Sequence, residues 1–213
     1  MLPKLIPEDQ KAFLRERFIH HHIRYMSDLQ YSITHRREEA YATFLEKAYD
    51  RVDWSYMFAV LSEMNGGASL IQWTKLLYTS TNVSLLLNGN AFTKDHSFSG
   101  CEKGDPLSAL LFLMTIEPLG NLLRRNEGPG ICITSTDTAT SLFFADDSTL
   151  LSSSLGGVEA QLDVVQHYCE GSGAKLNLSK STLLSLNRHH ICKPFALVKV
   201  LSGAIRSDTW GFL

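Results

Sequence analysis

Two adjacent aspartates, Asp146 and Asp147, stand between apolar runs at residues 142–144 and 149–151. This placement needs an explanation because aspartate is depleted in β-strands. One explanation is a tight hairpin turn, in which aspartate is a favourable residue. The other is chemical: carboxylates at a hairpin tip are well placed to bind Mg²⁺, a hard ion that prefers oxygen ligands and usually keeps substrate phosphates in its shell. The local sequence favours neither explanation over the other.

Histidines and cysteines, which are common metal ligands, are present but poorly spaced for a metal site. The triplet His20, His21 and His22 falls on a predicted helix, so the three side chains point in different directions and cannot all bind one ion. We therefore expect a solvated or partly buried helix surface. The four cysteines form no C-x-x-C pair and are Cys101, Cys132, Cys169 and Cys192. This spacing predicts reduced thiols in an intracellular protein.

The aspartate pair must be positioned by the elements around it, and the flanking apolar runs predict a short strand on each side. Further strands are predicted at residues 41–45 and 182–186, and Asn88-Gly89 between two apolar runs is a strong hairpin signal. Helices are predicted at residues 7–30, from the capping residue Asp53, at 68–78, from Pro106 to about residue 125, and at 156–168. The pattern predicts a mixed α/β fold.

The bulk composition is that of one globular domain. The chain has 213 residues, of which 44% are hydrophobic and 20% charged. Its formal net charge of -2 does not suggest a nucleic-acid enzyme, because such proteins usually carry a basic footprint. The longest apolar run, residues 109–116, is far shorter than the roughly 20 residues that cross a bilayer. We therefore predict no membrane partner.

Several sequence blocks together resemble the reverse transcriptases of non-LTR (LINE-like) retrotransposons. Phe-Ala-Asp-Asp at residues 144–147 is similar to the polymerase palm signature of that family. Residues 10–19, 46–54, 99–108 and 173–180 resemble four other family blocks in the same order. Single blocks are weak signals, but five in the right order identify the family across about residues 5–190.

The resemblance implies an α/β (α+β) polymerase palm with partial fingers, in which an antiparallel sheet is backed by helices and the thumb is absent. It places partial fingers at residues 1–40, the palm at 41–190 and a divergent C-terminal end at 191–213. The implied activity is RNA-directed DNA synthesis, a two-metal phosphoryl transfer from a dNTP to a primer 3'-hydroxyl, with Mg²⁺ or Mn²⁺. The implied partners are an RNA template, a DNA primer and dNTP, and the implied location is the nucleus.

The resemblance also assigns roles to individual residues. Asp146 and Asp147 would bind the metal ions and, with Lys180 facing the pyrophosphate leaving group, form the catalytic set. The nucleotide-binding set would be Arg17, Tyr49, Lys103 and Gly104. Tyr49 matches the aromatic that blocks a ribose 2'-hydroxyl, although a core aromatic would give the same sequence pattern. Lys180 outside this context would be an ordinary surface lysine.

The match fails at the first metal-binding aspartate. Residues 44–50 look like the family run Phe-Leu-Asp-Phe-Glu-Lys-Ala-Tyr-Asp with an internal Asp-Phe pair deleted. Counting back from Tyr49, the aspartate position is held by Phe44; if the strand keeps its upstream register, Glu46 takes that place instead. Lys103 also stands where the family usually has glutamine. We therefore expect an inactive copy of the polymerase. One rival hypothesis is a non-catalytic remnant with weak or no nucleic-acid binding. The other is an unrelated Mg²⁺-dependent phosphohydrolase, which would need more carboxylates near the metal than the sequence provides.

Overall fold

The apolar runs on either side of the aspartate pair form neighbouring strands of one sheet. A computed structural model describes residues 5–45, 47–48, 52–79, 83–88, 90–94, 106–178, 180–187 and 199–201. Its helices are α1 (Ile19–Arg36), α2 (Trp54–Glu63), α3 (Ala68–Thr79), α4 (Pro106–Arg125) and α5 (Leu155–Ser172). Its strands are β1 (Tyr41–Leu45), β2 (Lys47–Ala48), β3 (Val83–Leu87), β4 (Asn90–Lys94), β5 (Ile131–Cys132), β6 (Thr138–Ala139), β7 (Ser141–Phe144), β8 (Asp147–Ser152), β9 (Lys175–Leu176), β10 (Thr182–Ser185) and β11 (Lys199–Leu201).

The central sheet has five strands in the order β11-β10-β1-β8-β7. Strand β1 pairs antiparallel with both β8 and β10, while β10 and β11 are parallel. In the β1–β8 ladder, Phe44 lies opposite Thr149 and Leu45 lies opposite Ser148. The central strand β1 is therefore the direct neighbour of β8, the strand that begins at Asp147.

Both faces of this sheet are covered. On one face, Leu45 and Leu150 pack with Leu119 of α4 and Val165 of α5. On the other, Ala42 and Leu151 belong to a cluster with three buried residues of α1, namely Met26, Leu29 and Ile33. The predicted antiparallel sheet backed by the Pro106 helix and the helix near Gly156 is confirmed. The division of the chain into partial fingers, palm and C-terminal end stays a prediction.

Helix α4 is apolar because it lies in the core. By length and composition, its segment from Leu107 to Arg125 is the one candidate for a membrane span found in the described part of the chain. Leu111, Leu113 and Leu119 on this helix are fully buried within the protein. Burial against the sheet accounts for its hydropathy, since the core helix of a globular domain has the same composition as a short span.

The N-terminal segment differs from the sequence-based prediction. A helix was expected over residues 7–30, but α1 begins only at Ile19 and continues to Arg36. Before it, the chain is irregular, and Phe13 and Glu16 adopt positive φ values of 55° and 64°. The cause is tertiary: Lys11 N donates to Phe143 O at 3.0 Å, so this segment pairs with the edge strand β7 and cannot also form helical hydrogen bonds.

The remaining local predictions are confirmed where the structure describes them. Asp53 caps α2, with its side chain accepting a hydrogen bond from Ser55 N. Strands β3 and β4 pair around Asn88, whose φ of 50° suits a tight hairpin. Helix α5 is capped by Ser154 and ends at Gly173, which has a left-handed φ of 73°.

Candidate active site

The aspartate pair lies at the tip of the β7–β8 hairpin, which has a two-residue loop. Strands β7 and β8 pair antiparallel up to Phe144 opposite Asp147, leaving Ala145 and Asp146 to form the connection. Asp146 is exposed and Asp147 is half-buried. Ala145 has a φ of 54°, in the left-handed region that residues other than glycine seldom adopt. The predicted hairpin is therefore present, with one aspartate in the loop and the other at the start of a strand.

The loop is held from the side by the N-terminal segment. Phe143, two residues before the loop, donates its N–H to Asp9 O at 2.7 Å. Its carbonyl lies 3.1 Å from Nε2 of His22, which must be the donor because a carbonyl oxygen only accepts. Burial lowers the pKa of His22, against the opposing effect of this hydrogen bond. Of the histidine triplet, His22 is thus a buried anchor of the hairpin.

Strand β1 brings no carboxylate to the hairpin along its described length. Its residues from Tyr41 to Leu45 include no acidic side chain. Cross-strand partners project to the same face of a sheet, so Phe44 lies on the same face as its partner Thr149, and Asp147 projects there too because it is two residues from Thr149. Phe44 packs in the apolar cluster of that face. Phe44 therefore lies on the face onto which Asp147 projects, but two cross-strand positions further from the loop.

The donor set fits one Mg²⁺ ion better than two. A single Mg²⁺ is commonly held by one or two carboxylates, with waters and substrate phosphates completing its octahedron, and Asp146 and Asp147 are the carboxylates that the hairpin offers. Two ions about 4 Å apart need carboxylates from more than one strand. Among the residues that the structure describes, no group of three or more His, Cys, Asp and Glu side chains is arranged to hold a metal ion.

The other proposed site residues are Arg17, Lys180, Tyr49, Lys103 and Gly104, and the structure describes the first two. Arg17 has a side chain only 9% exposed, and its guanidinium donates to the carbonyls of Ile6, Pro7 and Gln10 at 2.6–2.9 Å. In this structure it therefore organises the N-terminal segment. Lys180 is exposed, in the turn that precedes β10. Tyr49, Lys103 and Gly104, like Glu46, lie outside the described residues.

A partly buried charge cluster beside the hairpin was missed by sequence reasoning. The Arg124 guanidinium donates to the carboxylates of Asp9 and Glu117, and thus ties the N-terminal segment to α4. Gly120 makes room for it, because a Cβ there would lie 2.8 Å from Arg124 Nη1. Burial raises the pKa of Glu117 to about 7, although Arg124 opposes this shift. A sequence signal existed: Glu117 interrupts the otherwise apolar face of α4.

A cleft of about 540 Å³ opens next to this cluster, between the N-terminal segment, α1 and β7. Its charged lining is largely neutralised within the cleft itself. Lys11 pairs with Glu8 at 2.6 Å, and Arg124 pairs with Asp9. The cleft thus presents balanced charge beside the hairpin, without an excess of either sign.

Comparison with known proteins decides the family. The family model described as reverse transcriptase (RNA-dependent DNA polymerase) matches residues 1–212. The chain belongs to the reverse transcriptase family. The uncharacterized 149 kDa protein of transposon TX1 from Xenopus laevis is 29% identical over 85% of this chain and 14% of its own length. The Pol polyprotein of the type-1 retrotransposable element R2 from Popillia japonica is 26% identical over 66% of this chain and 23% of its own length.

These relatives confirm the resemblance to non-LTR retrotransposon reverse transcriptases. The chain spans less than a quarter of the length of either relative, so it corresponds to one part of such a protein. The fold is similar to a solved telomerase from Candida albicans in complex with a TWJ fragment of telomeric RNA. The match covers 80% of this chain and 30% of the telomerase chain, with a TM-score of 0.53 and 12% sequence identity. At that identity the likeness confirms the fold alone.

Family membership bears on the two explanations of the carboxylate pair at the hairpin. Reverse transcriptases as a family generally use divalent metal ions. The hairpin of β7 and β8 supplies two oxygen-donor side chains on one edge of the reverse transcriptase sheet. The turn explanation and the metal explanation of the aspartate pair are therefore compatible, since a turn at these two residues does not prevent their carboxylates from binding an ion.

Proposed function

We propose that this chain carries the palm of an RNA-directed DNA polymerase from a non-LTR retroelement, and that this copy does not extend primers. The observation that carries the assignment is the hairpin with Asp146 in its loop and Asp147 at its strand start, in a chain matched by the family over residues 1–212. The substrates in this proposal are an RNA template, a DNA primer and dNTP, and the proposed location is the nucleus.

The chain's own residues would act by positioning and by balancing charge. Asp146 and Asp147 would hold Mg²⁺ or, in its place, Mn²⁺; the ion, when bound, neutralises phosphate charge and lowers the pKa of a coordinated hydroxyl. Lys180 would offer its ammonium to the leaving pyrophosphate. The roles of Tyr49, Lys103 and Gly104 in binding the nucleotide rest on the family resemblance, and Arg17 would support them by ordering the N-terminal segment.

The proposed loss of activity rests on strand β1. Without a carboxylate between Tyr41 and Leu45, the two aspartates would have to balance the charge of two divalent ions alone. If the strand keeps its upstream register, Glu46 is a candidate replacement, and its side chain is one methylene longer than that of aspartate. Since misplacement of a reacting group by about 1 Å can cost about a hundredfold in rate, we expect no primer extension with Mg²⁺ and at best a trace with Mn²⁺.

A primer-extension assay with a matched pair of insertions tests this directly. Inserting Asp-Phe between Leu45 and Glu46 adds a carboxylate directly after the β1 residue that pairs with Ser148, next to Asp147 in the ladder. Inserting Ala-Phe at the same point changes the length equally and adds no ligand. Both insertions have two residues, so they preserve the alternation of side chains between sheet faces downstream.

We expect extension, or a gain in Mn²⁺ affinity if turnover stays undetectable, from the Asp-Phe variant only. Equal behaviour of the two insertions would contradict the missing-ligand explanation. Robust extension by the unaltered chain would refute the inactive assignment, and its loss in Asp146→Ala would then confirm the polymerase assignment. Loss in Glu46→Gln as well would assign the third carboxylate to Glu46.

The net charge favours a second candidate, a non-catalytic remnant with weak nucleic-acid binding. A nucleic-acid duplex binds mainly through contacts between cations and phosphates, and a chain of net charge -2 has no general excess of cations. The insertion assay separates the two proposals, because a remnant without a polymerase site would gain nothing from the added aspartate.

A further inference from the structure

Gln10 is a buried polar residue that directly contacts the aspartate hairpin. It is 2% exposed, within the irregular segment that precedes α1. Its side-chain oxygen accepts hydrogen bonds from Ala12 N at 3.0 Å and from Ala145 N at 3.2 Å. Both neighbours are N–H donors, so the orientation of the amide is fixed: the oxygen must face them.

The contact falls on the residue whose backbone sets the loop. Ala145 adopts a φ of 54°, a conformation that alanine holds only when its surroundings impose it. The angle φ is the rotation about the N–Cα bond of Ala145, and the N–H of Ala145 lies in the peptide plane on one side of that bond. A hydrogen bond to that N–H therefore restrains the torsion that decides the direction of Asp146, the next residue.

Gln10 itself is firmly placed. It lies opposite Phe143 in a parallel bridge, and the residues on either side of it bond to that same residue: Phe143 N donates to Asp9 O at 2.7 Å and Lys11 N donates to Phe143 O at 3.0 Å. Arg17 also donates to Gln10 O at 2.9 Å. The side chain thus projects toward the loop from a backbone that is fixed on both sides.

The position is not optimised for stability. Gln10 Nε2 is buried and has no hydrogen-bond partner within the described part of the chain. A buried donor without a partner is unfavourable, so an apolar residue of similar size would avoid this cost. Glutamine at this position is explained by what its oxygen does, which is to hold Ala12 and Ala145.

We propose that Gln10 is a positioning residue for the metal site: its side-chain oxygen holds Ala145 in the left-handed conformation and so sets the direction of the Asp146 carboxylate. The metal part of this inference rests on the proposed function. The restraint of Ala145 does not, so the two parts are measured separately.

The first measurement is hydrogen exchange at the Ala145 amide, followed by NMR, in the full chain. In Gln10→Ala this amide should exchange roughly 2- to 10-fold faster, the effect expected for loss of one net hydrogen bond. Amides of β10 should be unchanged, since that strand lies across the sheet from the hairpin. Gln10→Leu keeps the buried volume and should give the same result if Gln10→Ala folds poorly.

The second measurement is Mn²⁺ affinity by titration. Gln10→Ala should raise the Kd for Mn²⁺ roughly 2- to 10-fold, in proportion to the lost restraint. Adding Ala145→Gly should restore the affinity to within about twofold, because glycine adopts a positive φ without strain. This rescue separates positioning from a general structural role, which a change at Ala145 would not repair.

Gln161 provides the matched control. It is also a buried glutamine, 1% exposed, and its Nε2 donates to Thr140 O at 3.2 Å and Leu151 O at 2.9 Å, at the opposite end of the same hairpin. Gln161→Ala should lower overall stability and leave both Ala145 exchange and Mn²⁺ affinity unchanged.

The proposal is overturned if Gln10→Ala and Gln10→Leu leave Ala145 exchange unchanged, or if exchange accelerates equally throughout the sheet. It is also overturned if Mn²⁺ affinity falls and Ala145→Gly does not restore it. Failure of the unaltered chain to bind Mn²⁺ would contradict the metal assignment in the proposed function, while Ala145 exchange would still decide whether Gln10 holds the loop.

Discussion

The buried carboxyl of Glu117 should make the stability of this protein depend on pH in a direction opposite to that of an ordinary ion pair. Its side chain is 6% exposed and accepts a hydrogen bond from Arg124, which also binds Asp9. One guanidinium thus faces two carboxylates. Burial outweighs the attraction of Arg124 and raises the pKa of Glu117 from an ordinary value of 4.5 to about 7.

The sign follows from proton counting. Between about pH 4.5 and pH 7 the folded protein keeps a proton on Glu117 that the unfolded chain has released, so the free energy of unfolding falls as pH rises through this window. Each tenfold change in an ionisation equilibrium is worth about 1.4 kcal/mol, which gives an upper bound of about 3.5 kcal/mol for the loss. Neutral glutamine has the shape of the protonated side chain and should escape it.

Urea unfolding of Glu117→Gln at several pH values tests this reasoning. The variant should match the parent chain near pH 4.5 and be more stable by about 1–3 kcal/mol at pH 8, because ionisation no longer opposes folding. Glu159→Gln, on the exposed surface of α5, serves as the control and should leave the pH profile unchanged. A variant less stable than the parent at pH 8 would refute the reasoning, since it would show that an ionised Glu117 stabilises the fold through Arg124.

Two further predictions concern packing and binding. Gly156→Ala should stabilise α5 by about 0.4–1 kcal/mol, because nothing lies within 4 Å of the added methyl group. Gly157→Ala should destabilise α5 by about 1–3 kcal/mol, because its Cβ would collide with Ser152 Oγ and lie 3.1 Å from Pro129 O. Equal urea unfolding midpoints for the two variants would contradict this difference in available space. The affinity for an RNA–DNA duplex, measured by fluorescence anisotropy, should be weak and fall steeply with salt, and tight binding at physiological salt would contradict this expectation.

The hairpin and the long helix were predictable because their signals are local. Asp146 and Asp147 between two apolar runs require a connection between strands, whatever else the chain does. Pro106 and the arginines at the end of α4 mark the two ends of a helix by chemistry that acts within one turn. In such segments, the preference of the local sequence and the demands of the fold agree, so the sequence alone suffices.

The N-terminal segment could not be predicted because its structure depends on distant residues. Phe13 and Phe18 fit a helical period, yet both are more than half exposed, so the apolar pattern there does not mark a buried face. Pairing with β7 and the bonds from Arg17 to backbone carbonyls decide the conformation. The same holds for Asp9 and Arg124, whose contact joins residues 115 positions apart.

The fold and the proposed chemistry place opposite demands on β1. This strand is central in the sheet, and its residues Ala42 and Leu45 are buried against helices on the two faces. A carboxylate at such a strand is costly to bury unless a metal ion balances its charge, while Phe44 contributes apolar contact to the cluster around Leu151. In the proposed function this carboxylate is missing from β1, so the cost of burying it is absent from the folded chain. The sheet, the helices and the hairpin described above are therefore compatible with the proposed incomplete set of metal ligands.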